Sequence, residues 1–501
     1  FLSLLRSEYL WIKTYPLETA MKLFRSRGRV YLPTSADPEL GDWSRPADTV
    51  KRRRLFMKRM EAMGVREEAQ QFAGGVVFDN FLVKYPEVNR LHKRMLRASR
   101  RVDQLRTVLR SRQESGRAGP GDAKARAVLQ KACSALWRSQ NHSAYWHGGD
   151  HNEGIYNPII RQRACRELLQ AEAAIDKILT DRKGDTWQAI RADFDADGDE
   201  DVQVITPQFA AIVNPSGGGG LLELDLREHS LPLLCSFSPV EEPYHEGLAG
   251  NEVMLVDDEA DALPSIPRES PEVSPSLQRL VLDSCPRGFF QDHFLAPETT
   301  LDAFSRRQFR ELGDFAAGPF EVVKVEKPEA PGLAGNVVVG RSGLVRDLGE
   351  TYMLRIEKGY RFDVRRPRLE LKHTVKNRSR DSASLWHGIE WTFGVPSAQP
   401  KKVRVRAVGP DGERVARLGD APIDLGEATW LEWADEAAGL AVVIELDQPR
   451  NFWWTPVRTV HRKRGGWREV IQGSTLLAHG RMEIWGEEEQ VVGLRMDFLP
   501  L

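Results

Sequence analysis

The sequence has little cysteine, no long apolar run and no excess of charge of either sign. Four cysteines occur in 501 residues and form no CxxC motif and no close pair along the chain: Cys133, Cys165, Cys235 and Cys285. The simplest interpretation is a reduced cytoplasmic setting, so we expect free thiols and a cytoplasmic location. No apolar run reaches the roughly 18 residues that a membrane-spanning helix needs, so a membrane partner is not expected.

Positive and negative side chains are almost balanced, with 71 Lys and Arg against 72 Asp and Glu. Bulk charge therefore gives no basis for binding nucleic acid or an anionic membrane. The first residues, FLSLLRSEYLWIK, have neither an initiator methionine nor a basic leader region. We expect no signal peptide here, and the segment has the character of the middle of a longer polypeptide.

The first 48 residues contain one strand signal. In GRVYLPT, residues 28–34, a short apolar run stops at Pro33 and opens into a polar turn, which is typical of a buried strand that leads into a loop. One strand cannot form a domain, so we expect the rest of its sheet upstream of Phe1. A chain of this length accommodates two or three domains.

Residues 49–185 have a helical pattern. Apolar residues separated by three and four positions define one face of a long helix: Val88, Leu91, Met95, Ala98, Val102, Leu105 and Leu109. The arginines between them, among them Arg94, are predicted to form a solvated face rather than a nucleic-acid face. A second helix carries the apolar residues Val128 to Leu136. A third begins at Pro158 and is predicted to bury Ile159, Ile160, Leu168, Leu169, Ile175 and Ile178, which indicates a small helical bundle.

The period changes to two after about residue 186. Val403, Val405 and Ala407 alternate with charged residues, and similar runs separated by glycine and proline turns continue to residue 501. This pattern predicts a large antiparallel β-sandwich. Residues 257–276, which contain several prolines and few apolar residues, are predicted to form a mobile surface loop.

The segment SQNHSAYWHGGDHNEGIY, residues 139–156, combines histidine, acid, aromatic and glycine residues without an apolar period. Zinc is disfavoured because the spacing of the histidines fits no closed zinc pattern and no HExxH helix. The candidate ligands are His142, His147, Asp150 and His151. A catalytic pair of Asp150 and Glu153 is weak too, because a glycine-rich loop does not fix their separation.

Two interpretations of this segment remain open. Tyr145 and Trp146 can cover the apolar face of a pyranose while amides and imidazoles bond its hydroxyl groups. Alternatively, the loop packs its aromatic rings between domains.

An acidic turn, DFDADGDED, lies at residues 193–201. Carboxylates at alternate positions followed by Gly198 are typical of the first half of a calcium loop, and the acids are Asp193, Asp195, Asp197, Asp199 and Asp201. A regular EF-hand is excluded because Val204 occupies its twelfth position. A structural Ca²⁺ and an uncomplexed acidic turn remain equal alternatives, and no organic cofactor is expected.

Two further motifs have ordinary structural interpretations. The glycine-rich stretch NPSGGGGLLELD, residues 214–225, lacks the Lys-Ser/Thr of a phosphate loop and is predicted to be a tight turn between strands. Trp453 and Trp454 are predicted to lie in the core rather than to form a carbohydrate platform. We find no carboxylate pair suited to act as acid and nucleophile.

Several collinear motifs together resemble the C-terminal portion of a 4-α-glucanotransferase or α-amylase of glycoside hydrolase family 57. The motifs, in chain order, are GRVYLPT, NFLVKYPEVNRLHKRML, AYWHG with GIYNPIIR, the acidic turn, HFLAPETTLDAF with ELGDF, and FWWTPVRTV with GWREVIQGSTLL. The resemblance covers nearly the whole chain. It implies a multidomain α+β protein: a remnant of a (β/α)7 barrel at 1–48, a helical bundle at 49–185, and a supersandwich-like β domain at 186–501.

The same resemblance implies an α-glucan substrate and a retaining mechanism whose glutamate and aspartate lie upstream of this chain. No catalytic residue is therefore expected within it. AYWHG is similar to a loop that reaches over the active-site cleft, which implies substrate contacts by Ser143, Tyr145, Trp146 and His147. Ser143 stands where the family usually has a sugar-binding aspartate, and Asp37 stands where it often has an aromatic residue.

These departures leave two interpretations. The chain is part of a glucan-acting enzyme with altered subsites, or it is a non-catalytic glucan-binding relative with a degenerate active site. A homodimer is a further hypothesis for the assembly, and the sequence does not give the oligomeric state.

Overall fold

The structure, a computed structural model, describes residues 2–26, 28–29, 38–74, 76–146, 154–179, 187–245, 280–330, 332–419, 421–463 and 466–501. Several features predicted from the sequence lie outside these residues: the strand at 30–32, the corner at 33–37, His147, Asp150, His151 and Glu153. So does the proline-rich segment 257–276.

The N-terminal part of the described chain is helical. Its α-helices are α1 (Leu2–Ser7), α2 (Leu17–Leu23), α3 (Pro38–Trp43), α4 (Ala47–Ala62), α5 (Arg66–Ala73), α6 (Phe78–Lys84), α7 (Pro86–Glu114), α8 (Pro120–Ser139) and α9 (Pro158–Leu179). A further short helix, α10 (Leu301–Ser305), lies within the β region. Helices α7, α8 and α9 pack on one another around a shared core.

Helix α7 confirms the apolar face read from the sequence. Pro86 is in its first turn, where the missing N–H costs nothing, and Val88, Ala98 and Val102 are buried. The assignment of Arg94 to a solvated face is wrong. This side chain is 5% exposed because it lies on the same helical face as Leu91.

Helix α9 also begins at Pro158, as predicted, and it buries Leu168, Leu169 and Ile175. The predicted burial of Ile159 is wrong, since this side chain is 46% exposed in the first turn of the helix. Helix α9 lies between α8 and the β region, which it contacts at strand β5 (Leu231–Pro232).

The rest of the described chain is dominated by antiparallel strands. The strands are β1 (Gln188–Ala192), β2 (Asp201–Ile205), β3 (Phe209–Asn214), β4 (Gly220–Leu226), β5, β6 (Phe289–Leu295), β7 (Glu321–Glu326), β8 (Gly335–Asp347), β9 (Glu350–Phe362), β10 (Arg368–Asn377), β11 (Ala383–Phe393), β12 (Val403–Gly409), β13 (Gly412–Arg417), β14 (Ile423–Asp435), β15 (Leu440–Lys463), β16 (Gly466–Ile484) and β17 (Glu489–Pro500). They form one continuous hydrogen-bonded set with a common apolar core.

Strand β15 joins two groups of strands. Its first part, from Leu440 to Leu446, pairs with β17, and its second part, from Asn451 to Lys463, pairs with β16. Through β17 the first part continues to β10, β9, β8 and β7. Through β16 the second part continues to β11, β6 and β4.

The alternation read from the sequence is observed in these strands. Val403, Val405 and Ala407 on β12 are buried while their neighbours are partly exposed. The glycine-rich stretch is a tight turn between β3 and β4, with Gly218 and Gly219 at positive φ. Trp453 and Trp454 are 7% and 2% exposed, so they are core residues, as predicted.

No helix in the described part of the chain is both long enough and apolar enough to cross a lipid bilayer.

Candidate functional site

The chain between α8 and α9 places the aromatic residues of the AYW motif. Asn141 begins a short 3₁₀ turn, His142–Ala144, and its side-chain oxygen accepts the N–H of Ser143 at 3.0 Å. The N–H of Tyr145 closes the turn by donating to the carbonyl of His142 at 3.0 Å. The turn therefore sets the directions of Tyr145 and Trp146 before the chain continues.

Tyr145 and Trp146 have different environments. Tyr145 is 8% exposed, and its hydroxyl donates to the carbonyl of Ser139 at 2.9 Å. Burial raises the pKa of Tyr145 well above its usual value, so the phenol stays protonated. Trp146 is half-buried, and its ring lies against Phe81 with a centroid distance of 5.1 Å. Trp146 thus combines firm support on one side with accessible ring surface.

A buried carboxylate, Glu242, joins the helices to the β region. Glu242 is 1% exposed and accepts hydrogen bonds from the hydroxyls of Tyr85 and Tyr156, each at 2.5 Å. The ammonium of Lys84 lies 2.8 Å from its other oxygen. Tyr85 follows α6, Tyr156 precedes α9, and Glu242 follows β5, so this cluster ties the helices to the β region.

His245 completes that connection. Its Nδ1 accepts the N–H of Glu242 at 3.0 Å, which leaves Nε2 to donate to the carbonyl of Val460 at 3.1 Å. Burial lowers the pKa of His245 to about 4, so the ring is neutral near pH 7. The polar groups around Glu242 are bonded to one another, so this cluster holds the helices and the β region together.

The acidic turn lies between β1 and β2 and contacts α7. Oxygen atoms of Asp193, Asp195 and Asp197 lie within 4.8 Å of one another. Asp193 accepts the N–H groups of Asp197 and Gly198 at 3.2 and 3.1 Å. Gly198 has φ of +102°, which favours glycine. Asn89 of α7 donates to the carbonyl of Asp195 at 2.6 Å, so the turn is anchored to the helices.

The carboxylates of the turn repel one another. Asp195 is 7% exposed, and its Oδ1 has no hydrogen-bond partner among the described residues. Burial, together with the nearby Asp197, raises the pKa of Asp195. Asp201, at the start of β2, is 5% exposed, and burial with Asp195 and Asp197 raises its pKa to about 8. Oxygen donors with an unpaired buried atom fit a Ca²⁺ ion. Asp199 is exposed and donates its N–H to Asp197.

A second acid and histidine group lies inside the β region. Oδ1 of Asp292 lies 2.6 Å from Nε2 of His373 and 3.0 Å from Nε2 of His387. Lys358 is also fully buried, and its ammonium lies 2.7 Å from the other oxygen of Asp292. Burial opposes the charge of Asp292, but Lys358 and the histidines hold its pKa well below the usual range. The ammonium already neutralises this carboxylate, so the group does not suit a metal ion.

Two family models match the chain, one in the helical region and one in the β region. The model described as "Alpha-amylase/4-alpha-glucanotransferase, middle domain" matches residues 76–175, and the one described as "Alpha-amylase/4-alpha-glucanotransferase, C-terminal" matches residues 193–492. The chain belongs to the α-amylase/4-α-glucanotransferase family. The family resemblance read from the sequence motifs is thereby confirmed.

Curated relatives and a solved structure agree with this family. The chain is 27% identical over 454 residues to a 4-alpha-glucanotransferase of Thermococcus kodakarensis, an alignment that covers 90% of this chain and 58% of the relative. It is 25% identical over 472 residues to an alpha-amylase of Pyrococcus abyssi, with 93% and 60% covered. The crystal structure of 4-alpha-glucanotransferase from Thermococcus litoralis has the same fold, with a TM-score of 0.69 at 24% identity, over 96% of this chain and 60% of that chain.

The chain therefore spans 58 to 60% of the length of these relatives. The mixture of helices with a large antiparallel sheet is confirmed as the fold.

Sequence reasoning did not find the cluster around Glu242. Two of its members lie in motifs that carried the family resemblance, Tyr85 in NFLVKYPEVNR and Tyr156 in GIYNP. The remaining signal was EEPYH at residues 241–245, where an acid, a tyrosine and a histidine stand close together. Only the fold shows that these three segments meet.

Proposed function

We propose that this chain is the cleft-wall and scaffold portion of an enzyme that acts on α-1,4-glucans, a 4-α-glucanotransferase or α-amylase working by double displacement with retention. The observation that carries the proposal is the collinear match of middle and C-terminal family models to residues 76–175 and 193–492. The relatives named above bear these two activities in their names. In this proposal the glutamate nucleophile and the aspartate acid/base lie in polypeptide upstream of residue 1.

We propose the same domain boundaries as the sequence indicates: a remnant of the (β/α)7 barrel at 1–48, a helical bundle at 49–185 and a supersandwich-like β domain at 186–501. The two largest apolar clusters among the described residues support a boundary near residue 186, because one consists of residues of the helical region together with Phe237 and the other of residues from Val202 onward.

The substrate contacts are proposed to come from residues 143–147, which include the AYW motif. Trp146 supplies ring surface for a glucose unit, because it is half-buried and braced by Phe81. Ser143 supplies a hydroxyl group on the partly exposed turn. Tyr145 contributes through its ring and its position, since its hydroxyl is bonded to Ser139. His147 belongs to the same proposed set.

We also propose a structural Ca²⁺ in the acidic turn. Asp193, Asp195 and Asp197 would hold the ion, with Asp199 and Asp201 completing the oxygen shell. The cation would neutralise clustered carboxylates and fix the turn against α7. The buried oxygen of Asp195, which has no hydrogen-bond partner in the described part of the chain, supports this assignment.

A direct experiment tests the proposed activity. The longer polypeptide that contains this chain is incubated with purified maltoheptaose, and the products are separated by anion-exchange chromatography. Redistribution to longer and shorter oligosaccharides supports a transferase, and accumulation of short products alone supports an amylase. Unchanged substrate, with retention of glucan on an affinity gel, would instead favour the non-catalytic binding protein.

We also propose that the protein has no nucleic-acid or membrane partner, which the near-neutral charge supports. The proposed cytoplasmic location is supported by the low number of cysteines. A homodimer remains a hypothesis that light scattering on the purified protein tests.

A further inference from the structure

Two cysteines that are distant in sequence meet where α9 packs on the β region. Cys165 lies on α9, and Cys235 follows β5, 70 residues later. Their sulfur atoms are 2.7 Å apart. A disulfide bond is about 2.05 Å long, so the pair is already close to bonding distance. Cys165 is 8% exposed, and Cys235 is half-buried.

Other contacts hold the two backbones in place. Nε2 of Gln162, on the same helix, donates to the carbonyl of Cys235 at 3.1 Å. Arg166 donates to the carbonyl of Pro396 at 3.2 Å. A Cβ atom at Gly394 would lie 3.1 Å from the backbone of Cys235, so the neighbouring segment is packed tightly against it. These contacts hold the segments that carry the two sulfur atoms against each other.

The electrostatic surroundings distinguish the two thiols. Burial disfavours the thiolate of Cys235, but the S–H of Cys165 and the guanidinium of Arg161 outweigh it and lower the pKa of Cys235. The hydrogen bond that Cys165 makes to Cys235, together with burial, raises the pKa of Cys165. Cys235 is also the less buried of the two residues, so we assign it as the attacking sulfur, because the thiolate is the nucleophile in thiol–disulfide exchange.

We propose that Cys165 and Cys235 form a reversible disulfide that cross-links α9 to the β region. The oxidant is a low-molecular-weight disulfide such as oxidised glutathione. The thiolate of Cys235 attacks one glutathione sulfur and releases the first glutathione thiolate. Cys165 then loses its proton and displaces the second glutathione, so two protein thiols are oxidised while one glutathione disulfide is reduced to two thiols. This inference does not depend on the proposed glucan activity.

The test measures oxidation of the purified protein in glutathione buffers of increasing oxidising strength. Samples are quenched with acid, alkylated under denaturing conditions, and mapped by peptide mass spectrometry without reductant. We expect two of the four thiols to disappear together and a peptide linking Cys165 to Cys235 to appear. We also expect the melting temperature to rise by about 5 °C on oxidation, because closing this loop restricts the unfolded chain.

Matched variants provide the controls. Cys133→Ser and Cys285→Ser should still lose two thiols, whereas Cys165→Ser and Cys235→Ser should lose none to an internal bond. A second arm refolds the wild-type protein from denaturant in the same buffers, so that limited access to the buried sulfurs is not decisive. Four free thiols in both arms, glutathione adducts alone, or a link to Cys133 or Cys285 would each overturn the proposal. The wild-type map decides the matter even where a variant fails to fold.

Discussion

Tyr145 and Trp146 are adjacent in the chain, yet only one of them presents ring surface. A 3₁₀ turn directs Tyr145 into the helical core, where its hydroxyl is bonded to Ser139. Trp146, one position later, rests on Phe81 and keeps part of its ring accessible. Sequence composition predicted an aromatic loop but not which ring is sealed, because a one-residue change in a turn reverses the direction of a side chain.

The proposed role of Trp146 leads to a specific expectation for the enzyme that contains this chain. Trp146→Ala should raise the KM for maltooligosaccharides about tenfold, since loss of an aromatic contact of this kind costs on the order of 1 kcal/mol or slightly more. Initial-rate kinetics measure this, with circular dichroism to confirm folding.

Trp485→Ala is the matched control, because Trp485 is 69% exposed in the β region. Equal KM values for the wild type and Trp146→Ala would show that Trp146 does not contact the substrate.

His479 provides a pH-dependent expectation at the same scale. Its Nδ1 accepts the indole N–H of Trp386 at 3.1 Å, and burial lowers the pKa of His479 to about 4. The unfolded chain binds this proton near pH 6.5, so the contribution of His479 to stability is complete above pH 6.5 and falls as the pH drops toward 4.

We expect His479→Gln to make the free energy of unfolding less dependent on pH between 6.5 and 4, by up to about 3 kcal/mol. Denaturant unfolding followed by tryptophan fluorescence at several pH values measures the difference. His229→Gln, at an exposed position, should leave the pH dependence unchanged. Parallel pH curves for wild type and His479→Gln would contradict the assignment.

At the scale of elements, α7 shows what a helical period reveals and what it conceals. The buried face from Val88 to Leu109 followed directly from steps of three and four residues. Arg94 also lies on that face, but its charge led to the prediction that it is exposed to solvent. Its partners are Glu172 on α9 and Glu223 and Asp225 on β4, and these contacts depend on tertiary packing. A local pattern cannot supply carboxylates from distant segments.

Removal of this guanidinium should therefore be costly. Arg94→Leu removes the guanidinium that all three carboxylates contact, and we expect a loss of about 3–5 kcal/mol in the free energy of unfolding. Denaturant titration measures it. Arg100→Ala, at an exposed position on the same helix, should change the stability by less than about 0.5 kcal/mol. A similar small effect for Arg94→Leu would show that the cluster contributes no net stability.

The turn between β1 and β2 gives a metal-dependent expectation. If Ca²⁺ binds there, a chelator should lower the melting temperature by about 5 °C, and excess Ca²⁺ should restore it. Differential scanning calorimetry of the purified protein measures both steps.

Asp195→Asn should abolish the response to chelator, whereas Glu200→Gln, which changes an exposed acid beside the turn, should preserve it. An identical melting temperature with and without chelator would favour the uncomplexed turn.

For the whole molecule, the sequence predicted the change from helical to strand-rich regions near residue 186, because the hydrophobic period changes there. It did not predict how the strands pair. Strand β6 lies beside β11 and β4, and β17 lies beside β10 and β15, although these partners are far apart in sequence. Pairing between distant segments is set by the packing of the entire core and leaves no local trace.

The same scale carries an expectation about activity. The 501-residue chain by itself should cleave no maltooligosaccharide, since buried acids such as Glu242 and Asp292 are held by tyrosines, histidines or lysines rather than directed at a substrate. Incubation of this chain alone with maltoheptaose, followed by chromatography, tests this. Turnover by the chain alone would show that the catalytic residues lie within these 501 residues.

Strand β15 has a consequence for how the β region comes apart. A single unbroken backbone segment serves as a neighbour for β17 along one half and for β16 along the other. Neither group of strands can therefore separate from the rest without leaving unpaired backbone along part of β15. A polypeptide cut near residue 448 would be expected to lose both groups together, and calorimetry of the intact region should record one cooperative melting event rather than two.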